Sequence, residues 1–179
     1  FVGALLLTNV YPFVEPAVRP TGIVNWFVSK SAVPVIVGIF QVGIISFVVL
    51  KWLGLDVESV GVFLLITAVT SFCFLAIVQM FTVIAGDVGR FIALVFLILQ
   101  LASSAGTFPI ELIPKTLQAF HTFMPMSYSV EAYRSVITSM NMEIITKDLM
   151  FLGIVGVVSV TITFAFFALL FKHRYSKPI

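Results

Sequence analysis

The chain has 179 residues, of which 60% are hydrophobic and only 10% are charged, and its net charge is +2. Soluble domains carry about 25% charged residues, so this composition excludes an ordinary soluble domain and indicates an integral membrane protein. The small net charge, without a cluster of Lys and Arg among aromatic residues, argues against nucleic acid as a partner. Membrane lipids are therefore the first predicted partner.

Five apolar segments follow one another along the chain. The last four have 18 to 25 residues each, which matches the roughly 20 residues that cross a bilayer as a helix. The first is shorter and starts at residue 1, so we expect it to be the end of a truncated span. The sequence thus predicts an all-α bundle of five transmembrane helices in one domain, residues 1–179. The segments are 1–14, 33–50, 60–84, 91–108 and 149–171.

The connections between these segments differ in length. Residues 15–31 form the longest early connection, which Pro16, Pro20 and Gly22 interrupt, and we expect Trp26 to anchor it at the membrane interface. The connection at residues 85–90, AGDVGR, is a tight turn. Its two glycines do not form a phosphate-binding loop, because no Gly-Lys-Ser/Thr follows them.

The distribution of basic residues predicts the orientation of the chain. Cytoplasmic connections carry an excess of Lys and Arg, and the tail contains Lys172, Arg174 and Lys177. We therefore expect a cytoplasmic C-terminus, and with five spans an exoplasmic start of the chain. This assignment puts residues 85–90 in the cytoplasm and residues 107–142 on the exoplasmic face.

Residues 107–142 are too polar and too rich in proline to cross a bilayer. Pro109, Pro114 and Pro125 divide them, which predicts two short amphipathic helices before the last span. We expect Pro125 to end the first helix and Ser127 to cap the second. The apolar face of the second helix is predicted to contain Tyr128, Ala132, Val136, Ile137 and Met140.

No acid or base lies inside the five apolar segments. Their polar residues are amides and hydroxyls, among which Gln41, Gln79 and Gln100 are the largest. Hydrogen bonding between helices is the simpler interpretation, and a polar translocation surface is the alternative. Ala102 and Gly106 stand four residues apart and allow two helices to approach closely, within one subunit or between two copies.

No signature of an enzyme is present in the sequence. There is no His-Glu-x-x-His motif, both histidines lie outside the apolar segments, and no Walker A sequence occurs. The single cysteine lies within an apolar segment, where we expect it to be a small buried side chain. We predict no catalytic residue, no cofactor and no metal site.

The arrangement around the two short helices resembles a known family. The sequence F-P-x-E-x-x-P at residues 108–114 and MPMSYSVEAYR at residues 124–134 are similar to the C-terminal half of ABC-2-type permeases. Among these the chain looks most like the YhgE/Pip family, named for phage infection protein. The resemblance implies the plasma membrane of a bacterium, with a preceding span and a large ectodomain absent from this chain.

Transport is the function that the resemblance implies. ABC-2 permeases form dimers and are driven by a separate nucleotide-binding ATPase subunit, so we expect a homodimer with such a partner. The ATPase would dock on the first cytoplasmic connection, where the coupling residues are Glu15, Arg19, Trp26 and Lys30. The two short helices would be the outer gate, with Pro109, Glu111, Pro114, Pro125, Tyr128 and Arg134 as its residues.

A second function from a different class is also consistent with the sequence. Relatives of this family are associated with phage adsorption and with type VII secretion. The five spans would then be a membrane anchor or scaffold for a phage receptor or a secretion accessory protein, without transport.

Overall fold

The structure is a computed structural model that describes residues 1–16, 20–104, 106 and 115–175, apart from the side chains of residues 116, 117, 174 and 175. Within this part of the chain every regular element is a helix, as the sequence predicts. One π-helical turn, Val48–Trp52, directly follows the second helix. The α-helices are α1 (Val2–Val10), α2 (Ile23–Phe47), α3 (Val60–Ser103), α4 (Lys115–His121), α5 (Pro125–Thr138) and α6 (Met142–Tyr175).

Three helical stretches among the described residues are long and apolar enough to cross a membrane, judged on length and composition. They are Ile23–Trp52, Val60–Ser103 and Met142–His173. α1 has only nine residues and therefore rises about 14 Å, roughly half the thickness of the hydrocarbon core. By the length and composition of these helices, the prediction of a multi-pass membrane protein is confirmed.

α3 folds back on itself at Gly86. This residue has φ 57° and ψ −125°, which is outside the helical region. The rings of Phe81 and Phe96 lie 5.7 Å apart, whereas a straight helix would separate residues at these positions by about 22 Å. Phe1 likewise lies close to both halves, 5.4 Å from Phe74 and 6.4 Å from Phe96. The predicted turn at residues 85–90 is therefore present, and it separates a first half of α3, residues 60–85, from a second half, residues 87–103.

The closeness of the two halves depends on a second glycine. A Cβ atom added to Gly89 would overlap the carbonyl oxygen and carbon of Phe81. Only a residue without a side chain allows the backbones to approach this closely. Arg90 and Asp87 form an ion pair of 2.8 Å beside the turn.

α5 and α6 pack against the first half of α3. At one end of this contact, Ala132 and Val136 of α5 and Ile145 of α6 form a buried cluster with Phe63 and Ile66 of α3. Close packing of this kind, with van der Waals contact, is the main source of helix association within a membrane.

The register of α6 against α3 follows from a second cluster. Leu152 of α6, two turns after Ile145, packs with Cys73, Phe74 and Ile77. The residue numbers thus rise in the same direction along α6 and the first half of α3, so the two helices run parallel. Ala132 and Val136 pack beside Ile145 while the earlier Tyr128 of α5 packs on the later Phe151 of α6, so α5 and α6 are antiparallel.

Residues 139–141 form the connection between α5 and α6. Met140 has φ 45°, in the left-handed region, and its amide donates a hydrogen bond of 2.7 Å to the Ser135 carbonyl. A left-handed residue after the last turn is a common way to end a helix. The Asn141 Oδ1 then accepts from the Glu143 amide at 3.1 Å and caps the start of α6.

Three predicted boundaries were wrong. α2 begins at Ile23, ten residues before the predicted span, because the polar residues that interrupt the apolar pattern find partners within the fold. α5 begins at Pro125 with Met124 at its N-cap, since proline suits the first helical turn, so Pro125 starts a helix and Ser127 is not its cap. α6 begins at Met142, seven residues before the predicted last span.

Candidate functional site

The predicted gate helix α5 is joined to the first half of α3 by a hydrogen bond between side chains. The Tyr133 hydroxyl donates to Thr67 Oγ1 at 3.0 Å, and Thr67 in turn donates to the Phe63 carbonyl at 2.8 Å. The Tyr133 ring also lies 5.6 Å from the Phe63 ring. Burial raises the pKa of the Tyr133 phenol. Its hydrogen bond with Thr67 has a smaller, opposite effect, so the pKa is raised overall. Tyr133 is therefore a neutral donor at physiological pH.

Tyr128 joins α5 to α6 and to the end of α4. Its ring stacks on Phe151 with centroids 3.8 Å apart and an interplanar angle of 19°. Its hydroxyl donates to the Thr122 carbonyl at 2.8 Å. Pro125, at the start of the same helix, is buried. These contacts make the α4–α5 connection a packed structure.

The second half of α3 contacts the same connection through Gln100. The side chain is fully buried, and its Oε1 accepts a hydrogen bond of 3.2 Å from the Met126 amide. This amide is one of the first in α5, which have no partner within the helix. Near by, His121 Nδ1 lies 2.7 Å from the Ser103 carbonyl. A carbonyl can only accept, so this hydrogen bond requires a proton on Nδ1.

The predicted coupling segment lies at the opposite end of α2 from the π-helical turn. Trp26 is 2% exposed and packs edge-on against Phe167 of α6, 4.8 Å away. Lys30 is also buried, and its Nζ donates to the Pro12 carbonyl at 2.7 Å. Trp26 and Lys30 thus lie inside the bundle, on α2, while Glu15 is exposed.

A second hydrogen bond fixes the same segment to α2. The Tyr11 hydroxyl donates to the Ser29 carbonyl at 3.2 Å, and the Lys30 ammonium lies 5.2 Å from the centre of the Tyr11 ring. A cation at this distance over an aromatic ring is attracted to it. The connection before α2 is therefore tethered to the helix.

Asp148 of α6 is a buried acid that the sequence analysis missed. It is 0% exposed, and neither carboxylate oxygen has a hydrogen-bond partner among the described residues. Asp148 directly precedes the predicted last span, which begins at residue 149. The available signal was its spacing, three residues after Ile145 and four before Leu152, which puts all three on one face of a helix.

Comparison with known proteins gives the family of this chain. Residues 16–138 match the family described as ABC-2 type transporter. The chain belongs to this membrane family. In addition, 139 residues, 78% of the chain, are 45% identical to the uncharacterized protein YhgE of Bacillus subtilis (strain 168). The chain spans about a fifth of that curated relative, since the match covers 18% of it. No solved structure matches the chain.

The resemblance to YhgE-like ABC-2 permeases is thereby confirmed. The ABC-2 match runs from Pro16, before α2, to Thr138, the last residue of α5. It therefore contains α2, both halves of α3 and the helix that the sequence analysis assigned to a gate. α1 precedes the matched stretch and α6 follows it.

Polar residues within the helices of this ABC-2 domain have different surroundings. Gln79 Nε2 donates to Ser31 Oγ at 3.0 Å and so connects α3 to α2. The Gln41 amide lies against Gly3 of α1, so closely that a side chain at position 3 would collide with it. Both positions fit the interpretation as hydrogen-bonding and packing residues between helices.

The other predicted residues are on the surface or outside the described part. Arg134 is exposed on α5, and Ala102 and Gly106 are exposed near the end of α3. Predicted residues that lie outside the described part of the chain are Arg19, Pro109, Glu111 and Pro114.

Proposed function

We propose that this chain is the membrane-spanning part of an ABC-2 type exporter subunit in the plasma membrane of a bacterium. The observation that carries the proposal is the match of residues 16–138 to the ABC-2 type transporter family. The identity to YhgE over 78% of the chain supports the same assignment. Residues 1–179 contain no Walker A sequence, so a separate ATPase subunit would supply the energy.

The proposed topology has five transmembrane segments, namely α1, α2, the two halves of α3, and α6. The fold-back at Gly86 supports it, because residues 60–85 and 87–103 comprise 26 and 17 residues. Helices of these lengths rise about 39 and 26 Å, close to the thickness of the hydrocarbon core. The basic tail and the connection before α2 would be cytoplasmic, and α4 and α5 would be exoplasmic.

The outer gate in this proposal is the pair α4 and α5. Its attachments to the spans include the Tyr133–Thr67 and Met126–Gln100 hydrogen bonds and the stacking of Tyr128 on Phe151. Each is a contact between separate helices, so a movement of α5 would break several of them together. Pro109, Glu111 and Pro114 would lie in the segment that leads into the gate, and Arg134 on its outer surface.

The proposed docking site for the ATPase is the connection before α2, including Glu15 and Arg19. Two tethers, Lys30 to Pro12 and Tyr11 to Ser29, support a coupling role. A force on this connection would pass directly to α2, and through Trp26 to α6. A homodimer would place the exposed Ala102 and Gly106 at a close contact between the two copies.

The first test is purification of the full chain from native membranes in a mild detergent, followed by identification of the accompanying proteins and an assay of ATP hydrolysis. We expect a stoichiometric nucleotide-binding subunit. Repeated recovery without one, with secretion or cell-wall proteins in its place, would contradict the exporter.

Crosslinking then tests where the ATPase subunit contacts this chain. A cysteine introduced as Glu15→Cys should crosslink to the ATPase, while the control Thr138→Cys, on the exposed surface of α5, should not. Native Cys73 is buried and should not react. Crosslinking from position 138 but not from position 15 would contradict the proposed orientation.

A further inference from the structure

Asp148 has no role in the proposed transport cycle, yet its surroundings are unusual for an acid. Carboxylates are rarely fully buried unless they are paired. Here both oxygens are enclosed and unpartnered within the described part of the chain, and the residue is 0% exposed. Its neighbours along the same face of α6, Ile145 and Leu152, are apolar and equally buried.

The helix register shows what lies opposite. Ile145 packs level with Phe63 and Ile66 of α3, and Leu152 packs level with Cys73. Asp148 therefore lies level with Thr70 of α3. The Thr70 hydroxyl is also buried without a hydrogen-bond partner among the described residues.

The third helix that packs at the level of Asp148 is α5. Its residues Ser129 and Ala132 are both buried, and the Ser129 hydroxyl is already bonded to the Pro125 carbonyl. The Tyr133–Thr67 hydrogen bond closes the same interface about one helical turn away. Asp148 thus lies at the meeting point of α3, α5 and α6.

The charged and titratable groups around this point are few, and most lie on the surface. The first half of α3 carries no Asp, Glu, Lys, Arg or His, and its Cys73 is a buried thiol. The charge of Glu131 opposes an anion at Asp148, whereas that of Lys147 favours it. Exposed groups on the packed elements are Glu131 and Arg134 of α5, Glu143 and Lys147 of α6, and Asp56 and Glu58 before α3.

An anion cannot rest in such a place without a large free-energy cost. Removing a carboxylate from water without partners is strongly unfavourable, and the neutral acid avoids most of this cost. A metal ion would need further ligands, and no group of three or more His, Cys, Asp or Glu side chains in the described part could hold one. The remaining ligand that neutralises the carboxylate is a proton.

We propose that Asp148 is a proton-binding site, and that its bound proton holds α5 and α6 packed on α3. Loss of the proton from an Asp148 oxygen leaves an anion that must be hydrated. Separation of α5 from α3 would admit water to it, and this movement breaks the Tyr133–Thr67 hydrogen bond. The inference rests on the packing of these helices and does not depend on transport.

The test measures the accessibility of α5 at different pH in the full chain, reconstituted in lipid nanodiscs. Ser135→Cys introduces a thiol at a buried position of α5, and Ser139→Cys provides an exposed reference that corrects for the intrinsic pH dependence of thiols. The readout is the ratio of maleimide labelling rates at the two positions. We expect this ratio to rise about tenfold between about pH 5 and about pH 9, equivalent to roughly one pKa unit of coupling.

Matched variants assign the effect to Asp148. Asp148→Asn keeps the shape of the protonated acid and should give a low ratio at every pH, while Glu143→Gln, an exposed acid on the same helix, should behave as the native chain. A ratio that stays constant with Asp148 present would overturn the proposal. A ratio that changes with sodium, potassium or calcium at constant pH would also overturn it, in favour of a metal cation.

Infrared spectroscopy of the native chain keeps the test decisive if Asp148→Asn does not fold. A proton on a buried carboxyl group gives a carbonyl stretching band that shifts on labelling of aspartate with ¹³C. We expect such a band at low pH and its loss as pH rises, together with increased labelling at position 135. Absence of any protonated aspartate band across this range would refute the site.

Discussion

Tyr133 of α5 donates a hydrogen bond of 3.0 Å to Thr67 of α3, which lies 66 positions earlier in the chain. Thr67 remains bonded to the Phe63 carbonyl at the same time. One tyrosine thus connects the predicted gate to a predicted span, about one helical turn from the level of the buried Asp148.

Replacement of this tyrosine measures the strength of the connection. Tyr133→Phe keeps the ring contact with Phe63 but removes the donor, and Thr67 keeps its own acceptor. We expect a loss of about 1 kcal/mol in the free energy of unfolding, since hydrogen bonds between membrane helices contribute about 0.6 to 2 kcal/mol. Unfolding in mixed micelles, followed by circular dichroism, gives this value. Tyr128→Phe is the control, because its hydroxyl bonds at the exposed end of α5.

Alkaline pH should remove the stability that the Tyr133–Thr67 hydrogen bond contributes. Burial raises the pKa of Tyr133, so the folded protein holds the phenol proton more tightly than the unfolded chain does. The resulting stability is complete below the ordinary tyrosine pKa of about 10 and is lost as pH rises through the raised value. The stability difference between the native chain and Tyr133→Phe should therefore shrink above about pH 10. A difference that grows there would contradict the neutral donor.

The fold-back of α3 should tolerate no side chain at Gly89. In Gly89→Ala, the new Cβ would overlap the Phe81 carbonyl, which belongs to the backbone and cannot rotate away. We expect loss of assembled protein after membrane insertion, measured by size-exclusion chromatography of a fluorescent fusion. Gly43→Ala is the matched control, since no atom lies within 4 Å of its added Cβ. Equal recovery of both variants would contradict this packing.

The tether at the start of α2 should protect the preceding connection from proteases. Lys30→Met keeps the length of the side chain but removes the hydrogen bond to the Pro12 carbonyl and the contact with Tyr11. We expect elastase to cleave the Val14–Glu15 bond, next to the exposed Glu15, about three- to tenfold faster, a local opening of roughly 1 kcal/mol. Lys51→Met, at an exposed lysine, should leave the rate unchanged. Unchanged cleavage in Lys30→Met would argue against the tether.

Sequence periodicity was sufficient to predict that the long helices exist, but it did not predict all of the residues at which they begin and end. Long apolar runs predicted α2, both halves of α3 and α6, because the length of an apolar run is a local property. The start of α2 was missed because Lys30 and Ser31 interrupt the apolar pattern, and their partners Pro12 and Gln79 are distant in sequence. Proline at residue 125 was recognised as a boundary, but proline can end one helix or begin another.

Burial within the predicted gate was only partly predictable. Ala132 and Val136 were assigned to the apolar face of α5 and are 0% exposed, whereas Ile137, assigned to the same face, is 39% exposed. Ser129 and Ser135 are buried instead, because small residues allow α5 to approach its neighbours closely. The burial of Asp148 could be predicted only from the register of α6 against α3, and that register depends on contacts between residues distant in sequence.

The contact between Gly89 and the Phe81 carbonyl also has a consequence for biogenesis. Two helices that meet at backbone distance next to a turn of one non-helical residue leave no room for a lipid between them. The two halves of α3 should therefore enter the bilayer during synthesis as one preformed pair. A force-sensing arrest peptide placed at increasing distances after α3 should record one pulling event for native α3 and two separate events for Gly89→Ala.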